Sequence, residues 1–176
     1  TSGDDIAAAA GISKRTVWRY FRSKEACVEP VLSASELRFV AMLRDWPRTA
    51  SLETYLGTAM TAFVSDADNI RDGVAATRIL AILHREPALR SAWLMACSDA
   101  ETQLASVVAA RAGLPERNAK VRMCAATIMA GIRITDEEIS FSAVKEGRVY
   151  EHAEIAAILA AAIRAASTLP IADPVE

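Results

Sequence analysis

Lys14, Arg15, Arg19, Arg22 and Lys24 place five basic side chains in an eleven-residue stretch that holds no acid, and Thr16, Trp18 and Tyr20 are interleaved with them. That mixture suits a nucleic acid. Cations neutralise phosphates and release counterions, while hydroxyl, guanidinium and aromatic groups at the start of a helix in the major groove reach base edges. A basic stretch also describes the solvated face of an ordinary helix, so the residues around it decide.

Those flanking residues are the ones that two short helices need to cross at a sharp angle. Ile6 and Ala10, four apart, give a first helix its apolar inner stripe, and Ala7 leaves room for a second helix to cross it. Gly11 falls where the first helix must end in a left-handed residue, and Ile12 follows as a plug for the corner. Ser13 suits the N-cap of the second helix, and Val17 and Phe21 turn an i, i+4 apolar edge inward. The other face is left to Ser13, Lys14, Arg15, Thr16, Trp18, Arg19 and Tyr20.

Thr1, Asp4-Asp5-Ile6-Ala7, Ala10-Gly11-Ile12-Ser13, Thr16-Val17-Trp18-Arg19-Tyr20-Phe21 and Ser23-Lys24-Glu25 together resemble the DNA-binding domain of the tetracycline-repressor (TetR) family of bacterial transcriptional regulators. The resemblance covers residues 1 to about 32. It implies an all-α protein: an N-terminal helix-turn-helix domain, 1–46, whose first amphipathic helix would precede Thr1, and a helical bundle, 47–176, for ligand binding and dimerisation. It implies that Thr1 and Lys24 touch phosphate and that the helix bearing Trp18 and Tyr20 enters the major groove. Arg15 stands where many members have glycine and Trp18 where they usually have tyrosine. Pro30 falls inside the expected long fourth helix, where the lost backbone donor would kink the chain.

Composition agrees with a helical chain. Of 176 residues, 36 are alanine and 6% are aromatic, which favours close-packed helices over strands. No run reaches eighteen apolar residues, so no membrane partner is expected and a cytoplasmic protein is. The net charge of −2 is compatible with a basic head if the acids gather on a distal body, and Asp136-Glu137-Glu138 reads as a solvated face there. Cys27, Cys97 and Cys124 are odd in number and too far apart for a metal site; buried structural thiols are the expectation, with redox sensing the alternative. His84 and His152 stand in separate segments, and there is no phosphate-cradling glycine loop, nucleophile elbow or Glu-x-x-His pair. Neither an enzyme nor a cofactor is expected.

Proline and glycine punctuation divides the remainder into helices over about 24–45, 52–64, 71–85, 87–112, a segment from Pro115 through Ile132, and 151–167, with 66–69 as a loop. Thr135 and Glu138 allow either a fresh capping box or a bend. The resemblance implies a homodimer built on the last two long helices, for which Val121, Ile128, Ile132, Ile155, Leu159, Ala162 and Ile163 are the candidate contacts, with intramolecular core the alternative. For a small-molecule effector, Tyr55, Phe63, Arg78, His84, Trp93, Cys97 and Met129 combine apolar surface with polar anchors. Each also fits a plain core or surface position. The expected partners are thus a double-stranded, pseudo-palindromic DNA operator, an effector and a second copy of the chain, acting as a repressor. The competing assignment is a helical protein-interaction module whose helix-turn-helix does not touch DNA.

Overall fold

A computed structural model describes residues 2–175; Thr1 lies outside the described residues. The chain is all-α, a small helix-turn-helix end followed by a helical body. Helix α1 (Gly3–Ala10) starts at a capping box in which Ser2 and Asp5 satisfy each other's backbone donors, and ends at Gly11 with φ 64°. Helix α2 (Lys14–Tyr20) starts at Ser13, whose hydroxyl accepts from the Thr16 N–H at 3.1 Å.

A 3-10 turn, Glu25–Val28, leads into α3 (Glu29–Arg44). The long helix therefore begins five residues later than the sequence suggests. Pro30 falls in its first turn, where the missing N–H has no intrahelical partner to lose, so no kink is required. Helix α4 (Leu52–Phe63) follows a Ser51 cap. Asp66-Ala67-Asp68-Asn69 is not a loop: Asp66 caps α5 (Ala67–Leu80) by accepting from the Asn69 N–H at 2.9 Å. Its end is followed by a short 3-10 turn, Leu83–Arg85.

Helix α6 (Pro87–Ala112) is the axis of the body, packed against α3 on one side and α7 on another. It opens with Pro87 and closes at Gly113, φ 65°. Helix α7 runs unbroken over Ala119–Lys145, so Thr135 neither caps nor bends it; its hydroxyl donates to the Gly131 carbonyl one turn back. Helix α8 (His152–Ala166) packs against α4 and α7. At Gly131 α8 lies close against α7: an added Cβ would come within 3.2 Å of Ala166 Cβ and 3.4 Å of the Ala162 carbonyl oxygen. The core they enclose is centred on Leu32, Val40, Leu56, Trp93, Leu104 and Ile128.

Arg111 ties this body to the C-terminal segment. Its side chain is buried, donates to the carbonyls of Pro47, Ala50, Ile171 and Asp173, and lays its guanidinium 3.5 Å from the centre of the Trp46 ring. Nearby, Arg164 grips Glu53 through two hydrogen bonds and Asp173 through a third, joining α8 to α4.

Candidate nucleic-acid interface

Ala7 and Val17 are the buried contacts between α1 and α2. Ala10 is exposed and Ile12 is 44% exposed. The expected corner plug is therefore absent; the Ile12 N–H instead closes the turn on the Ala7 carbonyl at 3.1 Å. With the turn set by Gly11 and the cap by Ser13, α2 presents Lys14, Arg15, Trp18, Arg19 and Tyr20 outward, with Thr16 half-buried behind the cap. Ser13 and Thr16 hydroxyls lie 2.8 Å apart, so both serve the helix start.

Most of the cations on this face are held in readily exchanged contacts. Lys14 pairs with Asp4 at 3.0 Å, Arg22 with Glu29 at 3.4 Å and Lys24 with Glu25 at 3.6 Å. Arg19 donates to the Tyr20 hydroxyl at 2.9 Å and lies over that ring. Exposed pairs of this kind contribute about 0–1 kcal/mol, so phosphates can displace them. Trp18 has a second role that its position in the sequence does not reveal. Its indole lies against the first turn of α1, where a Cβ on Gly3 would fall 2.1 Å from the ring. The rest of the ring is open.

Behind the head, Ile6, Lys24, Cys27 and Val28 face Ile79, Ile82 and Leu89 across a groove between head and body. Cys27 donates its thiol to the Ser23 carbonyl, and burial pushes its pKa up; burial does the same more strongly at Cys97. Both stay protonated, as structural thiols do.

The body holds a cavity of about 180 Å³ among α3, α4, α5, α7 and α8, with Phe39, Met60, Phe63, Leu80, Ile132, Ile155 and Leu159 on its walls. Of the seven effector-contact candidates only Phe63 reaches it. Tyr55 stacks on Trp46 and donates to the Met42 carbonyl, Arg78 is exposed, and His84 is exposed with its ring edge-on to Phe141. Trp93 is sealed in the core with its indole N–H on Glu137 at 3.0 Å, and Cys97 and Met129 are buried core.

Two acids that the sequence reading left out of the pocket face this cavity. Glu36 on α3 is only 5% exposed and its Oε2 has no hydrogen-bond partner; Asp136 on α7 is half-buried and lines the same space. Burial, reinforced by the charge of Asp136, raises the Glu36 pKa well above the ordinary carboxylate range, and burial likewise raises that of Asp136. Asp136-Glu137-Glu138 is therefore not a solvated face. Asp136 turns to the cavity, Glu137 accepts from Trp93, Arg90 and Arg133, and only Glu138 is exposed. The signal was present in register: Leu32, Glu36 and Val40, like Ile128, Ile132 and Asp136, put an acid on an apolar stripe at i, i+4.

The candidate dimer contacts lie mostly inside the single chain. Val121, Ile128, Ile132, Leu159 and Ile163 are at most 4% exposed within the single chain, Ile155 lines the cavity, and Ala162 backs onto Gly131. All seven belong to packing inside one chain. The outward stripe of α7 is instead Met123, Thr127, Ala130, Ile134 and Phe141, and that of α8 is Ala153, Ala157, Ala161 and Ala165.

Residues 1–31 match the family model described as bacterial regulatory proteins, tetR family. No curated protein matches the chain. Among the described residues no helix is long and apolar enough to cross a membrane, and no group of three or more His, Cys, Asp or Glu side chains is arranged to hold a metal ion.

Proposed function

We propose that this protein, whose residues 1–31 match the tetR-family model of bacterial regulatory proteins, is a ligand-responsive repressor that binds a pseudo-palindromic operator as a homodimer. The observation that carries the proposal is the outward face of α2. Ser13 and Gly11 fix the helix start, Arg15 forms no ion pair among the described residues, Lys14 is paired with the exposed Asp4 and Lys24 with the half-buried Glu25 at 3.6 Å. Thr1 is assigned a phosphate contact on the resemblance alone. We place the boundary between head and body at residues 46 and 47.

One recognition helix touches too few bases for a specific site, and two on a dimer axis would read half-sites about 34 Å apart. The solvent-facing stripes of α7 and α8 are the surfaces we assign to that dimer. Head and body communicate through the groove where Ile6 and Val28 meet Ile79 and Ile82, because Leu80 and Thr77 of the same helix line the cavity. A ligand in the cavity would shift α5 and α3 and so move the head away from operator spacing. Coupling of this kind is typically about 1–3 kcal/mol, a change of about 5–150-fold in DNA affinity.

Selection of bound duplexes from a random DNA library tests the assignment. A recovered palindrome is the expected outcome. Its absence at low salt, together with a flat dependence of random-duplex binding on salt, would move the function to the protein-interaction alternative, since each neutralised phosphate contributes a slope of about −0.9 in log affinity against log salt.

A further inference from the structure

An acceptor oxygen buried without a donor is costly, and Glu36 Oε2 is one, at the wall of a cavity that a second carboxyl also faces. Among the described residues no lysine, arginine or histidine forms an ion pair with Glu36 or Asp136; Arg133 and Arg90 pair with Glu137, and Arg38 pairs with Asp72 through its Nη2 while its Nε is left without a partner. The cavity wall therefore carries two carboxyl groups and no cationic side chain. The remaining walls are hydrocarbon, with the hydroxyls of Ser35, Thr77 and Ser140 between them.

We propose that the cavity takes a compact organic ammonium ion, its N–H groups donating to Glu36 and Asp136 and its hydrocarbon part laid against Phe39, Phe63, Ile155 and Leu159. The assignment rests on the effector-pocket proposal above and names the ligand's chemical class. Three features narrow it. An anion would meet two carboxyl groups and no cation. A hard metal ion prefers six or more oxygen ligands and would leave the apolar walls unused. The volume, about 180 Å³, is below the roughly 300–1,000 Å³ usual for small-molecule sites, so a single-ring or short-chain amine fits better than a drug-sized cation.

Calorimetric titration of the full chain, free of DNA, with benzylammonium, benzyl alcohol, benzoate and Mg²⁺ alone tests the charge requirement in the wild-type protein. Benzylammonium should bind tighter than benzyl alcohol by at least about tenfold, the value of one charge-assisted hydrogen bond at about 1.5 kcal/mol. Benzoate and Mg²⁺ should not bind. In Glu36→Gln and Asp136→Asn the preference for the ammonium should shrink toward unity while benzyl alcohol binding is retained. No ammonium binding, equal affinity for the alcohol, or binding of Mg²⁺ alone would each overturn the assignment, and none of these readouts on the wild-type chain depends on a variant folding. Release of the selected operator is then followed separately by fluorescence anisotropy. Ammonium binding without release leaves the cation site standing and overturns the effector proposal, which tells the two failures apart.

Discussion

Arg15 and Lys24, nine residues apart, have roles that mutation can separate. Arg15 points outward from the first turn of α2, where a guanidinium can read a guanine bidentately, whereas Lys24 lies beyond the helix and is held by Glu25. Lys24→Ala should weaken binding to every duplex about equally and reduce the salt slope by about one. Arg15→Ala should cost about 1–3 kcal/mol at one operator position and relax preference there. Competition binding against operators varied one base pair at a time checks both, and equal losses on all sequences would reduce Arg15 to a phosphate contact. Glu36 allows a prediction of another kind. A carboxyl with a raised folded-state pKa binds more protons folded than unfolded, so its unfavourable contribution is absent below the ordinary value of 4.5 and grows as pH rises through the folded value. Asp136 acts in the same direction. Glu53 acts oppositely: Arg164 holds it at about 2, so its stabilisation is complete above its ordinary value of 4.5 and is lost only in acid. Between about pH 5 and 8 the cavity acids therefore set the sign. Wild-type melting temperature should fall across that range, and Glu36→Gln should melt higher at the upper end with a flatter profile; a wild-type profile that rises would refute the account. The cap at Ser13 and the turn at Gly11 were legible in sequence because both are local. The Glu36 and Asp136 pair was not, since a hundred residues separate the two acids and only the packing of α3 against its neighbours brings them to one cavity.

At the scale of elements, long helices bounded by proline and glycine could be read closely, as Pro87 and Gly113 show for α6. Boundaries set by side-chain caps were harder. Asp66 opens α5 five residues ahead of Arg71, in a run of Asp and Asn that also describes a loop, and only the hydrogen bond from the Asn69 N–H decides between them. The 3-10 turn at Glu25–Val28 was hidden as well, since Glu25 and Ala26 suit the start of an α-helix equally well. Arg111 is the element-level feature that nothing in the sequence marked. It joins the end of α6 to the segment between α3 and α4 and to the C-terminal segment, through carbonyls 60 or more residues away. A lysine there keeps the charge but loses the planar fork and the stacking on Trp46. If two of the four charge-assisted hydrogen bonds are lost at about 1.5 kcal/mol each, Arg111→Lys destabilises by about 3 kcal/mol. For a chain of this size each kcal/mol moves the melting temperature by about 2–4 °C, so a fall of about 6–12 °C is expected in a thermal melt. A fall under a degree would mean that water replaces the guanidinium without loss.

For the whole molecule, the proposed dimer needs a face of α7 that is free to meet a second copy. Periodicity alone could not answer it, because α7 is apolar on two sides. Val121, Ile128 and Ile132 form one stripe and Met123, Ile134 and Phe141 another, and the first is consumed inside the chain by α6 and α8. The second remains in solvent, with Met123 62% and Ile134 54% exposed. Large apolar side chains repeated along one exposed helix face are more than scattered surface residues, and together with the exposed alanines of α8 they offer the close, small-residue contact that helix pairs use. Ile134→Glu places a charge in the middle of that stripe without touching the core. The expected outcome is a folded monomer by sedimentation equilibrium, with unchanged helical content and with operator affinity reduced to the level of random duplex, because each head then binds its half-site alone. Ile132→Val, two residues away but facing inward, should instead cost about 0.5–1.5 kcal/mol of stability and leave the dimer intact. An Ile134→Glu protein that remains dimeric and keeps operator affinity would move the interface off this face of α7, and the operator spacing would then have to be set by a different pair of surfaces.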